Sequence, residues 1–344
     1  MLAVWQVCKR RRQSTFPLQR RLPNREKPVD VECCRSSVNG NPTSTWADMA
    51  DDTYAASITE GPGAVNSEQD YLVPYEPVVG QILGEGSTSR IALVAPGVII
   101  KYPRFSWWDS KKAADNDMKR SFEVEERLLQ ILGLHPRIIE FKGVSDDPFG
   151  LLFAEASDGN LQNYIDKHHA NIDMSLRLKW RMQAAEAIQF IHQKGVIHSD
   201  LRPENFLLHT VAGSELDLLL CDFGGSTNGE IDGLHLPDSG FFNPCDRPES
   251  TKNTDIFSLG SIYYTIMTGH WPYRSPGPLE SLEEMEKYQE LVDSLFASKR
   301  LPPVDGLIAG PVIQRCWTGE YSDLGALIED QCQQFENFTT STHS

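Results

Sequence analysis

Eight residues, His198-Ser199-Asp200-Leu201-Arg202-Pro203-Glu204-Asn205, crowd two carboxylates, an amide, an imidazole and a guanidinium into one short stretch. Seventeen residues beyond Asn205 comes Asp222, in Cys221-Asp222-Phe223-Gly224. The intervening runs Phe206-Leu207-Leu208 and Leu218-Leu219-Leu220 pair as a two-strand ribbon around a loop containing Gly213-Ser214, which folds Asp222 back beside Asn205. An acid and an amide brought together in this way offer the oxygen ligands that a hard divalent cation takes. Asp200 is left over, and a carboxylate outside the metal site is free to orient a hydroxyl.

Two weaker signals lie upstream. Leu83-Gly84-Glu85-Gly86-Ser87-Thr88-Ser89-Arg90-Ile91 is a glycine-rich turn between two β-type runs. Glycines let backbone amides approach a phosphate closely, although a Gly-x-Gly hairpin is more often only a turn. Lys101 follows the apolar run Val98-Ile99-Ile100, so burial of that strand obliges the ammonium to find an anion. Glu125 is the natural partner, with Glu123 and Glu126 open, against the plainer reading of two surface residues that never meet.

The elements that must hold these groups follow from periodicity. Val78–Leu83, Ile91–Val94 and Val98–Lys101 read as three strands of one antiparallel sheet, and Phe149–Ala154 as another buried strand. Residues 118–132 are helical, with Phe122, Glu125, Leu128, Leu129 and Leu132 at three- and four-residue intervals before Gly133. Leu176–Gln193 and Thr254–Met267 are further helices, stopped at Gly195 and Gly269. A small sheet-plus-helix lobe (75–154) thus precedes a larger, mainly helical lobe (157–332), which is an α+β layout. No internal repeat shows, and residues 333–344 read as a polar tail.

Composition sets outer bounds. A chain of 344 residues with 40% hydrophobic content buries a substantial core. No apolar run approaches the roughly 18 residues of a membrane span. The net charge of −16 disfavours nucleic acid as a partner. Seven scattered cysteines without a C-x-x-C pair argue against a disulfide framework and a zinc site, and a reducing, cytoplasmic setting is expected for a monomer. Residues 1–74 form a polar head expected to be disordered, and residues 1–30 alone carry eight Lys or Arg against two acids. That head is open to three readings: a solvated tail, a presequence, or a basic localisation cluster at Lys9–Arg12, so nucleus and mitochondrion stay open. Met49-Ala50-Asp51-Asp52 also reads as an internal start of translation.

Taken in order, the Gly84/Gly86 turn, Lys101, the helix glutamate, Asp200 with Asn205, Asp222-Phe223-Gly224, Pro248-Glu249 and Asp255-Ile256-Phe257-Ser258-Leu259-Gly260 resemble a protein kinase catalytic domain over about residues 75–332. The resemblance implies a two-lobed fold, ATP and Mg²⁺ as cofactors, and transfer of the γ-phosphoryl group to a protein substrate. Pro203-Glu204-Asn205 is more similar to the Ser/Thr branch than to the tyrosine one. It further implies Lys101 on the α/β-phosphates, held by Glu125; Asn205 and Asp222 on Mg²⁺; and Asp200 as base. Arg202, where Ser/Thr kinases carry lysine, is expected on the γ-phosphate. Adenine is expected between Leu83, Ile91, Ile99 and Leu207, against hinge backbone at Ala154 to Ala156, with Phe153 at the rear. Leu129, Phe223, His198 and Phe141 are expected to stack as a spine between the lobes.

Departures from the family bear on regulation. Ser89 stands at the third glycine position, and Ser199 replaces the arginine that commonly pairs with a phosphate on the activation segment, so a constitutively competent enzyme is expected. Phe242 stands where Ser/Thr kinases brace the catalytic aspartate with threonine. Glu249 lacks its usual late arginine, with Arg315 as the expected substitute. Ser226, Thr227 and Ser239 are candidate phosphosites, although exposed loop hydroxyls are common. Cys221 reads as a small buried residue before a reactive thiol. The runner-up function is a pseudokinase or scaffold that binds nucleotide but docks substrate poorly, and a small-molecule kinase stands third.

Overall fold

The computed structural model describes residues 76–342 apart from 78, 87, 107–112, 211–215 and 278–280. The basic head with Lys9–Arg12 and Met49, Val78 and the Gly213-Ser214 loop lie outside the described residues. Strands β1 (Ile82–Glu85), β2 (Ser89–Ala95), β3 (Val98–Pro103), β4 (Phe141–Asp146) and β5 (Phe149–Ala154) form an antiparallel sheet in the order β1-β2-β3-β5-β4. β1 begins four residues later than its apolar run suggests and feeds directly into the glycine turn. β4 escaped the sequence reading because it is an edge strand with only one half-buried face, and Lys142, Gly143, Ser145 and Asp146 dilute its apolar alternation.

The pleat of β3 decides the fate of Lys101. Ile100 and Tyr102, 1% and 2% exposed, point to one face and pack with Ala92. Alternation then turns Ile99 and Lys101 to the other face, and both line the cleft between the lobes. Helix α1 (Ala113–Leu132) crosses behind that face and buries Phe122, Leu128, Leu129 and Leu132.

The second lobe holds α2 (Leu161–His168), α3 (Met174–Gln193), α4 (Lys252–Thr268), α5 (Leu282–Ala297), α6 (Gly310–Trp317) and α7 (Leu324–Thr342). Their starts are locally encoded: Asn160, Asp173, Thr251 and Ser281 each accept a backbone N–H of the first turn. α4 is buried without a break from Thr254 to Met267, the signature of a helix enclosed on every side. α7 runs to Thr342, so the polar tail expected from residue 333 is helical over its first ten residues. Its inward face explains this: Leu327 is fully buried, Gln331 Nε2 donates to the Tyr263 hydroxyl (2.8 Å), and Gln334 Oε1 accepts from Arg181 (3.2 Å).

The ribbon β6 (Phe206–Thr210) and β7 (Leu216–Leu220) pairs Phe206 with Leu220 and Leu208 with Leu218, the register the two apolar runs predict. Those four side chains are at most 1% exposed, which contributes about 1.5–3 kcal/mol for each. Asp217 fastens the ribbon from outside, accepting from Gln183 (2.7 Å) and pairing with Lys179 (2.9 Å) and Arg137 (3.0 Å). Partial burial works against its charge, but hydrogen bonds from Gln183, Lys179 and Arg137 outweigh it and lower its pKa to about 2. The depressed value means that this stabilisation is present above the unfolded carboxylate range and disappears as pH falls through about 2. Asp217→Asn is therefore expected to lower the melting temperature by a few degrees at pH 7, with the difference from wild type closing as pH approaches 2.

Candidate active site

A cleft of about 740 Å³ opens between the lobes. Leu83, Gly84, Gly86, Ile91 and Ile99 line it from the sheet, Leu207 from the ribbon, Phe153 and Lys101 from deeper in, and Glu155 and Ala156 at the connection. Ala154 does not line it. As the last residue of β5 its N–H is spent on Glu140 O (2.9 Å), and it borders a separate hollow with Leu134 and His209. The glycine turn is strapped from β3's end: Arg104 Nε reaches Glu85 Oε1 (3.0 Å), and its Nη1 donates to Gly86 O (3.3 Å).

At the centre, Lys101 Nζ donates to Glu125 Oε2 at 2.5 Å and to Asp222 Oδ1 at 2.8 Å. Burial opposes the ammonium's charge, but Asp222 and Glu125 together outweigh it and hold its pKa above the usual lysine value. Glu125 is 1% exposed; burial pushes its carboxyl up, while Lys101 and the Phe223 N–H favour the anion. Of the three glutamates weighed for this role, Glu123 instead pairs with Lys119 and Glu126 accepts from Gln130 on the helix surface.

Asp222 takes a left-handed backbone (φ +66) and opens a single 3₁₀ turn, Phe223–Gly225. That turn seats Phe223, fully buried, 5.1 Å from the His198 ring, and its N–H donates to Glu125 Oε1 (3.2 Å). Leu129 is buried and Phe141 lies 5.7 Å from Phe153, so the expected spine residues sit in or against one core. Gly224 is demanded by contact: a Cβ there would stand 2.1 Å from Ser121 Oγ on α1.

The loop carrying Asp200 hangs from one buried carboxylate. Asp255, on α4 and fully buried, accepts from His198 N (2.9 Å), Ser199 N (3.1 Å) and His192 Nε2 (2.8 Å). These bonds hold Ser199 in the left-handed region (φ +62), from which Asp200 emerges 5% exposed. Asn205 Nδ2 donates to Asp200 O (2.6 Å), so the amide's oxygen is the atom it has for a cation. Asn205 and Asp222 both line the cleft and supply hard oxygen donors suited to a divalent ion that completes its shell with phosphate and water.

Arg202 lines the cleft, and its side chain is already paired there. Its guanidinium is 6% exposed and is taken up by Glu204, through both Nε and Nη2 at 3.0 Å, and by Asp238 at 2.5 Å. Burial works against its charge, but Glu204 and Asp238 raise its pKa well above the usual arginine value. Asp238, missed in the sequence because it lies 36 residues away with no motif around it, thus ties the activation segment to the catalytic loop.

Other expectations are corrected too. Arg315 pairs with Asp330 and with Glu320 (3.5 Å) and stacks on Tyr321, not with Glu249, which is exposed; the acids of its own neighbourhood outcompete a distant one. Ser226 is fully buried with its hydroxyl donating to His198 O, which removes it as a phosphosite, and Thr227 is spent on Ile231 O. Ser239 donates to Asp293 (2.8 Å) on α5. Burial pushes the Cys221 thiol well up, and it donates to Asn205 O, as fits the inert reading.

Residues 78–322 match the family described as protein kinase domain. Among individual proteins, aurora kinase B of Danio rerio is 24% identical over 70% of this chain and 75% of its own length. The 3-phosphoinositide-dependent protein kinase 1 of Rattus norvegicus is 25% identical over 72% of this chain and 45% of its own. Ribosomal protein S6 kinase alpha-2 of Homo sapiens is 30% identical over 48% of this chain and 24% of its own. The chain thus spans less than half of the latter two proteins. With the family match covering well over half of its length, the chain belongs to the protein kinase family.

Proposed function

We propose that this chain is a protein kinase that moves the γ-phosphoryl group of Mg-ATP to serine or threonine hydroxyls of protein substrates. The observation that carries the reading is convergence: Lys101, Glu125 and Asp222 meet within 2.8 Å contacts in the cleft, and Asn205, which also lines it, is bonded to Asp200. A scaffold has no need of five such groups in register. The apolar side chains of Leu83, Ile91, Ile99 and Leu207 suit an adenine ring, and Glu155 and Ala156 offer backbone at its edge. Mg²⁺ bound through Asn205 and Asp222 would supply the positive charge that offsets what gathers on the transferred group. Lys101, fixed by Glu125, presents its ammonium to phosphate oxygens beneath the Gly84/Gly86 turn. Asp200, held by its backbone carbonyl and by Asn205, accepts the hydroxyl proton as the oxygen attacks.

Arg202 has a different part in this reading from the one its position implies. Because Glu204 and Asp238 already neutralise it, its work is to hold the activation segment against the catalytic loop without a phosphate. Ser239 on Asp293 and the Phe241 carbonyl on Ser258 Oγ (2.6 Å) add further unmodified ties.

Incubation with labelled ATP, Mg²⁺ and a mixed protein panel is expected to label serine and threonine. Lys101→Met and Asp200→Asn should each lower the rate at least about a hundredfold. A wild-type chain that labels a metabolite and no polypeptide would remove the reading. Treatment with phosphatase is expected to leave the rate unchanged, whereas Asp238→Asn should reduce kcat/KM for protein substrate several-fold with the KM for ATP unaltered. Loss of activity on dephosphorylation alone would show that the ion pair does not order the segment.

A further inference from the structure

His235 belongs to none of the motifs, yet the activation segment delivers it to the catalytic carboxylate. Its Nδ1 stands 3.6 Å from Asp200 Oδ1 and 3.5 Å from the Ser199 carbonyl. Both neighbours are acceptors, so Nδ1 is the nitrogen that carries a hydrogen.

The surrounding backbone is arranged for this contact. Leu234, immediately before it, is held at φ +55 although it is 64% exposed, and the Asp232 carboxylate accepts its N–H (2.8 Å). A left-handed backbone is unfavourable for leucine, and burial of its own side chain returns little of that cost. The conformation turns the next residue inward. Opposite lies Gly225, where a Cβ would stand 2.7 Å from His235 Cβ, so any other residue there would displace the imidazole. Ser250 Oγ donates to the His235 carbonyl (3.2 Å) and pins the chain from the far side. Ser199 leaves the room: it is small and fully buried, and its hydroxyl turns back to Ile197 O.

Resting on the protein kinase reading above, we propose that His235 is a positioning residue for Asp200, linking the activation segment to the catalytic base through an imidazole where an arginine and a phosphate would otherwise do so. The Nδ1 N–H orients the carboxylate for its work as a base. Asp200 is the charged group that faces the ring from the catalytic loop; Gly225 and Ser250 bring no charge, and Asp232 is committed to Leu234 N.

The test is a KM-against-kcat split with rescue by a conservative variant. His235→Ala is expected to lower kcat about tenfold with the KM for ATP unchanged, and His235→Asn, whose amide N–H reaches from the position of Nδ1, to recover most of the loss. Full activity in His235→Ala, or no recovery in His235→Asn, overturns the proposal and leaves the kinase reading standing. If His235→Ala no longer binds nucleotide, His235→Asn carries the test. Independently of turnover, Asp200→Ala is expected to move the ring-nitrogen NMR shift of His235 more than that of His270; equal shifts overturn the contact even in a chain that transfers no phosphate.

Discussion

One ammonium group joins the working parts of this molecule. Lys101 arrives on β3, Glu125 on α1 and Asp222 on the turn after β7, and nothing in the local sequence of any one of them specifies the other two. What brings them together is the cost of a buried charge without a partner, which would be several kcal/mol for the lysine alone. Two carboxylates on one cation leave the cluster net negative at the place where phosphates are to come. In the proposed function a divalent ion held by Asp222 would relieve that excess, so that apo stability and metal binding would draw on the same carboxylate.

The rest of the site follows from this junction by contact. Fixing Glu125 fixes the acceptor for Phe223 N, and α1 can come that close only because Gly224 has no side chain to meet Ser121. Phe223 then fills the space beside His198, whose own backbone N–H is held by Asp255. Asp255 is a carboxylate in a helix buried from Thr254 to Met267, and three donors offset its burial; in return it stabilises a left-handed Ser199 that would otherwise relax. Catalytic geometry in the second lobe is thus held by one acid and in the first by one base, and Phe223 on His198 couples them.

Much of this was legible before any coordinates, for physical reasons. Helices at 118–132 and 176–193 are legible because their buried faces repeat at helical spacing, and that at 254–267 because its apolar run ends at a glycine. The ribbon is legible because two Leu-rich runs flank a turn. Glu125 is the natural candidate because burial of Lys101 demands an anion, while Glu123 and Glu126 stay open until the fold pairs them with Lys119 and Gln130 instead. What escapes the sequence shares a cause. An arginine pairs with whichever acid the fold brings within reach: Arg315 meets Asp330 and not Glu249, and Arg202 gains Asp238, 36 residues on, without any motif to announce it. β4 was lost because an edge strand has one face to water, and the helical end of α7 because its anchors, Gln331 and Gln334, are polar. His235 carried no signal at all, since its placement depends on a left-handed leucine and on a glycine that is crowded only in three dimensions.

Serine at 199 changes what can act on the enzyme. A guanidinium there would give a segment phosphate a bidentate partner, so that order in the segment follows a covalent mark. With Ser199 buried and Arg202 already neutralised by Glu204 and Asp238, a phosphate arriving on this segment meets carboxylates first; Ser239, for one, already faces Asp293. Like charges at such a contact loosen a segment that charge pairing now holds. The Arg202 pair is sheltered from water and therefore only weakly screened by salt, so ionic strength is a poor lever as well. What reaches Ser199 and Asp200 from the segment is the imidazole of His235, so a side chain built into the fold stands where a covalent mark would act.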